Sequence, residues 1–142
     1  MHEADLELLV AVLLMVVAIL QIFALHYADK MRKKISGNDE SERSYVFSMA
    51  TLAASFLTLI TVRGNRSDVS KGLAASAAGV GLLVLTILNI VSLVYSVRTK
   101  NLMDDKDARL VVTADALSLV GVVIAAGAVM MNGSRYSGSY SR

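Results

Sequence analysis

The sequence predicts an all-α polytopic membrane protein, a bundle of four transmembrane helices joined by short loops. Hydrophobic residues make up 55% of its 142 residues, above the share of about 45–50% that ordinary soluble domains reach even with glycine counted. This excess falls in four blocks, each long enough to cross a bilayer as a helix of about 20 residues. Proline and cysteine are absent. The spans therefore lack the commonest cause of a kink, and disulfides and thiolate metal sites are excluded.

The first span covers about residues 6–28 and follows a short acidic stretch. A secretory signal would carry basic residues there, so this block is interpreted as a transmembrane helix. A cluster of four cations follows the span: Lys30, Arg32, Lys33 and Lys34. We expect these cations to lie among lipid headgroups, where each is attracted to anionic lipid by about 1 kcal/mol. Pairing with Asp104, Asp105 and Asp107 is the alternative.

The remaining spans cover about residues 45–62, 72–97 and 109–131. Glycines at or beyond their ends predict helix stops: Gly37 after the first span, Gly64 after the second, and Asn132-Gly133 after the fourth. Asn38 or Ser41, and later Asp104 or Asp105, are suitable N-caps. Residues 134–142 form a tail rich in Ser, Gly, Tyr and Arg that cannot build a core. We expect neighbouring proteins to hold this tail in place.

Lysine and arginine counts predict the orientation, because cytoplasmic loops carry an excess of these cations. Nine lie near the first and third connections: Lys30, Arg32, Lys33, Lys34, Arg43, Arg98, Lys100, Lys106 and Arg109. Five lie on the other side: Arg63, Arg66, Lys71, Arg135 and Arg142. Both termini are therefore predicted on the non-cytoplasmic side. Tyr27, Tyr45 and Tyr95 fall at the cytoplasmic boundary, where amphipathic rings favour the headgroup level.

Small and hydroxylated residues recur at spacings of three and four along the spans, which places them on one face of each helix. In a bilayer, helices associate through close backbone approach and interhelical hydrogen bonds. These stripes therefore predict packing with left-handed crossings near +20°. The predicted packing residues are Ser48, Ser55, Ala75, Gly79, Ser118, Gly121 and Ala125.

Four polar residues are predicted to form a layer inside the membrane: Gln21, Thr51, Asn89 and Asp115. Each lies six residues from a tyrosine or arginine at the cytoplasmic boundary, or about 9 Å along the helix axis. We expect Asp115 to receive hydrogen bonds from Asn89 and Gln21, with Thr51 completing the set.

The layer has two interpretations. A carboxylate in hydrocarbon is expensive, and such a group is by default a hypothesis for an ion or proton site. A buried polar position can also fix helix pairing and register. A relay needs more than one titratable group within the span, and His26, the other candidate, lies near the interface on another face. The structural interpretation is therefore favoured.

The sequence carries no Ser-His-Asp set, phosphate-binding loop or metal-ligand spacing, so an enzyme is not expected. No cofactor or metal is expected either. His2, Glu3, Asp5 and Glu7 fit a solvated acidic terminus, and residues 104–107 lack the spacing of a calcium loop. A net charge of +2 gives no support to a nucleic-acid partner.

The expected function is that of a structural or assembly subunit of a larger membrane-associated complex. Both an accessory subunit and a viral membrane or minor capsid protein that contacts a protein shell fit this description. Partners would be the lipid bilayer and other protein subunits, contacted through the loops and the C-terminal tail in a homo- or hetero-oligomer. The alternative is a small ion or proton channel or transporter that uses the polar layer around Asp115.

Overall fold

The computed structural model describes residues 3–64 and 77–140, and the regular structure within them is entirely α-helical. Four helices follow one another: α1 (Glu3–Lys34), α2 (Asp39–Gly64), α3 (Ala77–Leu102) and α4 (Lys106–Tyr140). All four are long and apolar enough to cross a membrane. The predicted fold class, a four-helix membrane bundle, is confirmed.

The helices pack in a ring that follows the chain order. α1 packs against α2 and α4, and α3 packs against the same two helices. Two short connections, residues 35–38 and 103–105, lie at one end of the bundle, which we name the connection end. The first residue of α1 and the last residue of α4 belong to the opposite end, which we name the terminal end.

Polar and apolar side chains are distributed in the reverse of their usual order in soluble proteins. Leu57 and Ile60 are each 67% exposed, whereas Gln21, Asn89 and Asp115 are fully buried. Charged and amide side chains are rarely buried in water-soluble domains, and large exposed apolar surfaces mark contact with a membrane or with another protein. Here each of the four helices is also long and apolar enough to span a membrane. Hydrocarbon rather than water is therefore the solvent around this bundle, and the chain is a multi-pass membrane protein.

Local capping explains how the first two helices are joined. Gly37 adopts a φ of 79°, the left-handed conformation that closes a helix and favours glycine. Asn38 then accepts a hydrogen bond at its Oδ1 from the Ser41 backbone N–H, at 2.9 Å, as an N-cap residue does. Of the two predicted caps, Asn38 is the one used.

The helix bounds differ from the predicted spans in two ways. α3 continues past its apolar block to Leu102, and α1 continues to Lys34, as the predicted stop at Gly37 requires. The predicted stop at Asn132-Gly133 is wrong, since α4 continues to Tyr140. A single glycine costs a helix only about 1 kcal/mol, and no proline follows to end it. Residues 72–76 of the predicted third span, including Ala75, lie outside the described residues.

The interior changes character along the bundle axis. The terminal half is filled by large apolar side chains, among them Leu6, Leu14, Leu85 and Val122. Toward the connection end the apolar cluster consists of Ala24, Ala28, Val111 and Ala114, with Tyr27 and Tyr45 packed against it. Serines and a threonine occupy the remaining interior there: Ser41, Ser44, Ser92, Ser96 and Thr99. The connection half is thus narrow and polar, and the terminal half is mainly apolar, with the buried hydroxyls of Ser55 and Thr58 on α2.

Two glycines allow close contact between helices. A Cβ atom at Gly81 would lie 2.8 Å from Thr58 Oγ1 on α2, and one at Gly121 would lie 3.0 Å from Val17 Cγ2 on α1. The predicted packing residue Gly79 instead lines a cleft of about 400 Å³ between α3 and α4. Gly81 is therefore a close-contact position of α3 against α2, whereas α3 and α4 stand apart beside Gly79.

Candidate functional site

The candidate site is a polar layer between the two halves of the bundle. Three helices supply it with fully buried side chains: Gln21 from α1, Asn89 from α3, and Asp115 and Ser118 from α4. Asp115 and Ser118 are three residues apart and share one face of α4. The predicted members Gln21, Asn89 and Asp115 are thus brought together.

The Asp115 carboxyl contacts three side chains. Its Oδ1 accepts a hydrogen bond from Gln21 Nε2 at 3.2 Å. Its Oδ2 lies 2.6 Å from Ser96 Oγ and 3.2 Å from Ser92 Oγ. The predicted bond from Gln21 is confirmed, whereas the two serine partners were not predicted.

Asn89 does not reach the carboxyl, so that part of the predicted donor set is wrong. With the amide oriented to satisfy its neighbours, Nδ2 donates to the main-chain carbonyl oxygen of Asp115 at 3.1 Å. Oδ1 then accepts from Ser118 Oγ at 2.7 Å and from the Leu119 N–H at 3.2 Å. Ser118 Oγ in turn accepts from Gln21 Nε2 at 2.8 Å. Asn89 therefore ties α3 to the backbone of α4.

Thr51 is buried as predicted, but its hydroxyl donates to the Phe47 carbonyl oxygen of its own helix, at 2.7 Å. The prediction that it completes the Asp115 donor set is wrong. A threonine in a helix commonly satisfies its hydroxyl on the carbonyl four residues earlier. The helical spacing from Asn89 contained the missed signal, because Ser92 and Ser96 follow it by three and seven residues on the same face.

α2 joins the layer through serines instead. Ser44 Oγ lies 3.1 Å from Ser96 Oγ, and Ser48 Oγ lies 3.1 Å from Ser92 Oγ. Each of these α2 serines therefore reaches the carboxyl through one serine of α3. All four helices are connected by one network of uncharged donors around a single carboxyl.

A narrow gap adjoins this network toward the connection end. Its lining residues are Ala28, Met31, Ser41, Ser44, Ser96, Thr99, Ala108 and Val111. The gap is too narrow for a water molecule. The network therefore depends on protein groups alone, and Gln21 Oε1 accepts no hydrogen bond from the described residues.

The remaining predicted packing residues mostly lie inside the bundle. Ser48 and Ser118 are fully buried within the network, and Ser55 is buried with its hydroxyl on the Thr51 carbonyl oxygen, at 2.8 Å. Ala125 belongs to the apolar cluster of the terminal half. Within the described part of the chain, no group of three or more His, Asp or Glu could hold a metal ion.

The cation cluster at the connection end is engaged mainly by protein groups. Arg32 and Lys33 pair with Asp29 at 2.6 and 3.2 Å. Lys34 pairs with Asp105, and with Asp107 at 2.8 Å. Lys30 Nζ lies 5.2 Å from the centre of the Tyr27 ring.

The alternative expectation, pairing across the two connections, is confirmed for Lys34 with Asp105 and Asp107. Asp104 instead pairs with Arg109, at 2.8 Å. The pairs of Lys34 tie the end of α1 to the start of α4. Contact of the cluster with lipid headgroups stays a prediction.

The Lys34–Asp105 pair predicts a loss of stability in acid. The Lys34 ammonium holds the pKa of the Asp105 carboxyl below its ordinary value, which is about 3.9 in an unfolded chain. The stabilisation is therefore complete above about pH 4 and is lost as the pH falls through the lower folded-state pKa. In detergent, the melting temperature of the wild type should be higher than that of Asp105→Asn at pH 6. The difference between the two melting temperatures should shrink below pH 4. An equal difference at pH 2.5 would contradict the pairing.

No family model matches this chain, and no curated protein or solved structure matches it. The fold and the site together define only a class of protein. This class is a multi-pass membrane protein whose four helices share a buried network of hydrogen bonds around one carboxyl.

Proposed function

We propose that this chain is a non-enzymatic structural or assembly subunit of a larger membrane-associated complex. The supporting observation is that the polar layer joins all four helices through uncharged donors while the terminal half is filled by large apolar side chains. Such a layer fixes which helices pair and at what register, as a buried polar position does in coiled coils. A pathway across the membrane would need connected polar groups in both halves, whereas the buried hydroxyls of Ser55 and Thr58 in the terminal half each donate to a carbonyl oxygen of their own helix.

Two parts of the molecule extend beyond the hydrocarbon core and suit contact with partners. α4 has 35 residues, a length of about 52 Å against a hydrocarbon thickness of about 30 Å. Its last residues therefore project from the terminal end. The connections at the other end carry the charged pairs. An accessory subunit and a viral membrane or minor capsid protein remain the two settings for this role.

The competing proposal is a small ion or proton channel or transporter that uses Asp115. Its support is the buried carboxyl and the serines that lead from it to the connection end. No matching chain of hydroxyls is described in the terminal half, where the buried hydroxyls of Ser55 and Thr58 donate to carbonyl oxygens of their own helix.

Reconstitution distinguishes the two functions. The pure protein in liposomes should give no ion or proton flux, and native extraction should recover it with partners in fixed stoichiometry. Deleting residues 134–142 should release those partners and leave the bundle folded, whereas Asp115→Asn should retain them. Reproducible flux that vanishes in Asp115→Asn would overturn the structural proposal.

We further propose that the connection end faces the cytoplasm, on the strength of the nine-to-five distribution of cations. A cysteine at Ser139 should then react with an impermeant thiol reagent in intact cells. Cysteines at Ser36 or Asn101 should react only after permeabilisation. The reverse pattern would place both termini in the cytoplasm.

A further inference from the structure

Asp115 is the one titratable residue among the fully buried side chains that the structure describes. The groups that face its carboxyl are Gln21 from α1 and Ser92 and Ser96 from α3. Ser44 and Ser48 from α2 contact the hydroxyls of these two serines. None of these groups carries a charge or titrates near neutral pH. The charge of the carboxyl is therefore not balanced by any of the residues that contact it.

The hydroxyl of Ser96 has more oxygen neighbours than it has protons. Its Oγ lies 2.8 Å from the Ser92 carbonyl oxygen, 2.6 Å from Asp115 Oδ2 and 3.1 Å from Ser44 Oγ. The carbonyl oxygen can only accept, so the bond to it uses the single proton of Ser96. The other two contacts then require protons from Ser44 and from the carboxyl. All three bonds form together only when Asp115 is protonated.

An ionised Asp115 is also compatible with the same positions of the oxygen atoms. Ser96 then turns its proton from the Ser92 carbonyl oxygen to Oδ2, which makes a charge-assisted bond of ordinary length for O–H···O⁻. The Ser92 carbonyl oxygen is in α3 and keeps its helical partner. The two states of the carboxyl thus differ by one proton and one rotation of the Ser96 hydroxyl.

We propose that Asp115 is a proton-binding site that exchanges its proton with the connection-end side of the membrane alone, through Ser96 and Ser44. The site is independent of the proposed structural function, because no proton crosses the membrane. It differs from the channel proposal in the same respect, since the route is a dead end.

The groups around Asp115 favour a proton over a metal ion as the ligand. Divalent cations are bound by several ligands, usually with more than one carboxylate, whereas Asp115 is the single carboxylate among the fully buried side chains that the structure describes. Asp115 Oδ2 and Ser96 Oγ are 2.6 Å apart, which is the separation of two oxygens that share a proton.

The one-sided access follows from the hydroxyls on each side of the layer. Toward the connection end, Ser44 and Ser96 line the narrow gap together with Ser41 and Thr99. Toward the terminal end the buried hydroxyls of the described residues, Thr51, Ser55 and Thr58, each donate to a carbonyl oxygen of their own helix, and the rest of the neighbouring interior is apolar. A hydroxyl chain can carry a proton where water does not fit, whereas an alkyl side chain cannot.

The transfer balances at each oxygen. A proton from the connection-end side arrives at Ser44 Oγ along the narrow gap that Ser44 lines with Ser41 and Thr99, and the proton already on Ser44 passes to Ser96 Oγ. The proton of Ser96 passes to Asp115 Oδ2, which becomes a neutral carboxyl. Both serines end as hydroxyls, so the net change is one proton gained at Asp115. Release runs through the same bonds in reverse.

Infrared spectroscopy of the full chain in liposomes tests the route. The carbonyl band of a protonated carboxyl, identified by its loss in Asp115→Asn, should be present near neutral pH and should shift on transfer to D₂O. Ser96→Ala should slow that shift at least tenfold. Ser55→Ala is the matched control, because it removes the same kind of buried serine–carbonyl bond without touching the carboxyl, and it should exchange like wild type.

Ser96→Thr, which restores a hydroxyl, should recover the wild-type rate and exclude misfolding as the cause. Equal exchange in wild type and Ser96→Ala would overturn the route, and absence of the band between pH 4 and 9 would overturn the site. In vesicles whose orientation is scored by labelling Ser36→Cys, an external acid jump should increase the band only where the connection end faces outward. An equal increase in both orientations would overturn one-sided access.

Discussion

Replacing Gly81 with leucine is expected to force α2 and α3 apart and to cause a large loss of stability. A Cβ at this position already meets Thr58 Oγ1 at 2.8 Å. Thr58 cannot turn away freely, because it is β-branched and its hydroxyl is bonded to the Ala54 carbonyl oxygen at 2.7 Å. Overpacking of this kind costs about 1–3 kcal/mol, occasionally more. Thermal unfolding followed by near-UV circular dichroism of the tyrosines would measure it.

Alanine substitutions give a sharper comparison at two helical glycines. A Cβ at Gly127 meets nothing within 4 Å, so Gly127→Ala should gain up to about 1 kcal/mol of helix propensity. Gly81→Ala should instead destabilise the bundle, and a second change of Thr58→Ala should relieve it. Equal effects of alanine at both glycines would mean that α2 and α3 are not in close contact at Gly81.

The second large effect is expected from Asp115→Leu. This change removes the carboxyl that shares three hydrogen bonds with Gln21, Ser92 and Ser96. Interhelical bonds in membranes average about 0.6 kcal/mol each, so a loss of about 2 kcal/mol is expected. Unfolding by increasing proportions of SDS in mixed micelles would measure the change.

Asp115→Asn serves as the control for that loss. Its Oδ1 can accept from Gln21, and its Nδ2 can donate to Ser96, as a protonated carboxyl does. Stability should therefore stay within a few tenths of a kcal/mol of wild type. If Asn were as damaging as Leu, the carboxyl would be held in its charged form and the proton-binding site would be wrong.

Hydropathy was sufficient to predict the four helices because each apolar block is long and separated from the next by charges. It was less able to predict their ends, since the stop at Gly133 relied on a single weak residue. The contact between Gln21 and Asp115 was predictable because two strongly polar residues at one depth in hydrocarbon have few other partners.

The partners of the smaller polar groups were harder to predict. Helical spacing places Ser92 and Ser96 on the same face of α3 as Asn89, but it does not tell whether a serine hydroxyl on that face bonds a carboxyl of another helix, a carbonyl oxygen of its own helix, or both. The same limit applies to the glycines. α3 packs against two neighbours, and helical periodicity does not tell which neighbour Gly79 or Gly81 meets.

The hydroxyl-rich interior of α2 has a consequence for biosynthesis. Its buried face carries Ser44, Ser48, Thr51 and Ser55, and two of these serines find partners only on α3. α2 emerges from the ribosome before α3. If α2 entered the bilayer without α3, its serines would lack the hydrogen bonds that α3 supplies. We expect α2 and α3 to enter the bilayer together as a hairpin, with truncation before α3 leaving α2 poorly integrated. The chain order α1–α4 would then also be an order of assembly, closed when Asn89 meets the backbone of α4.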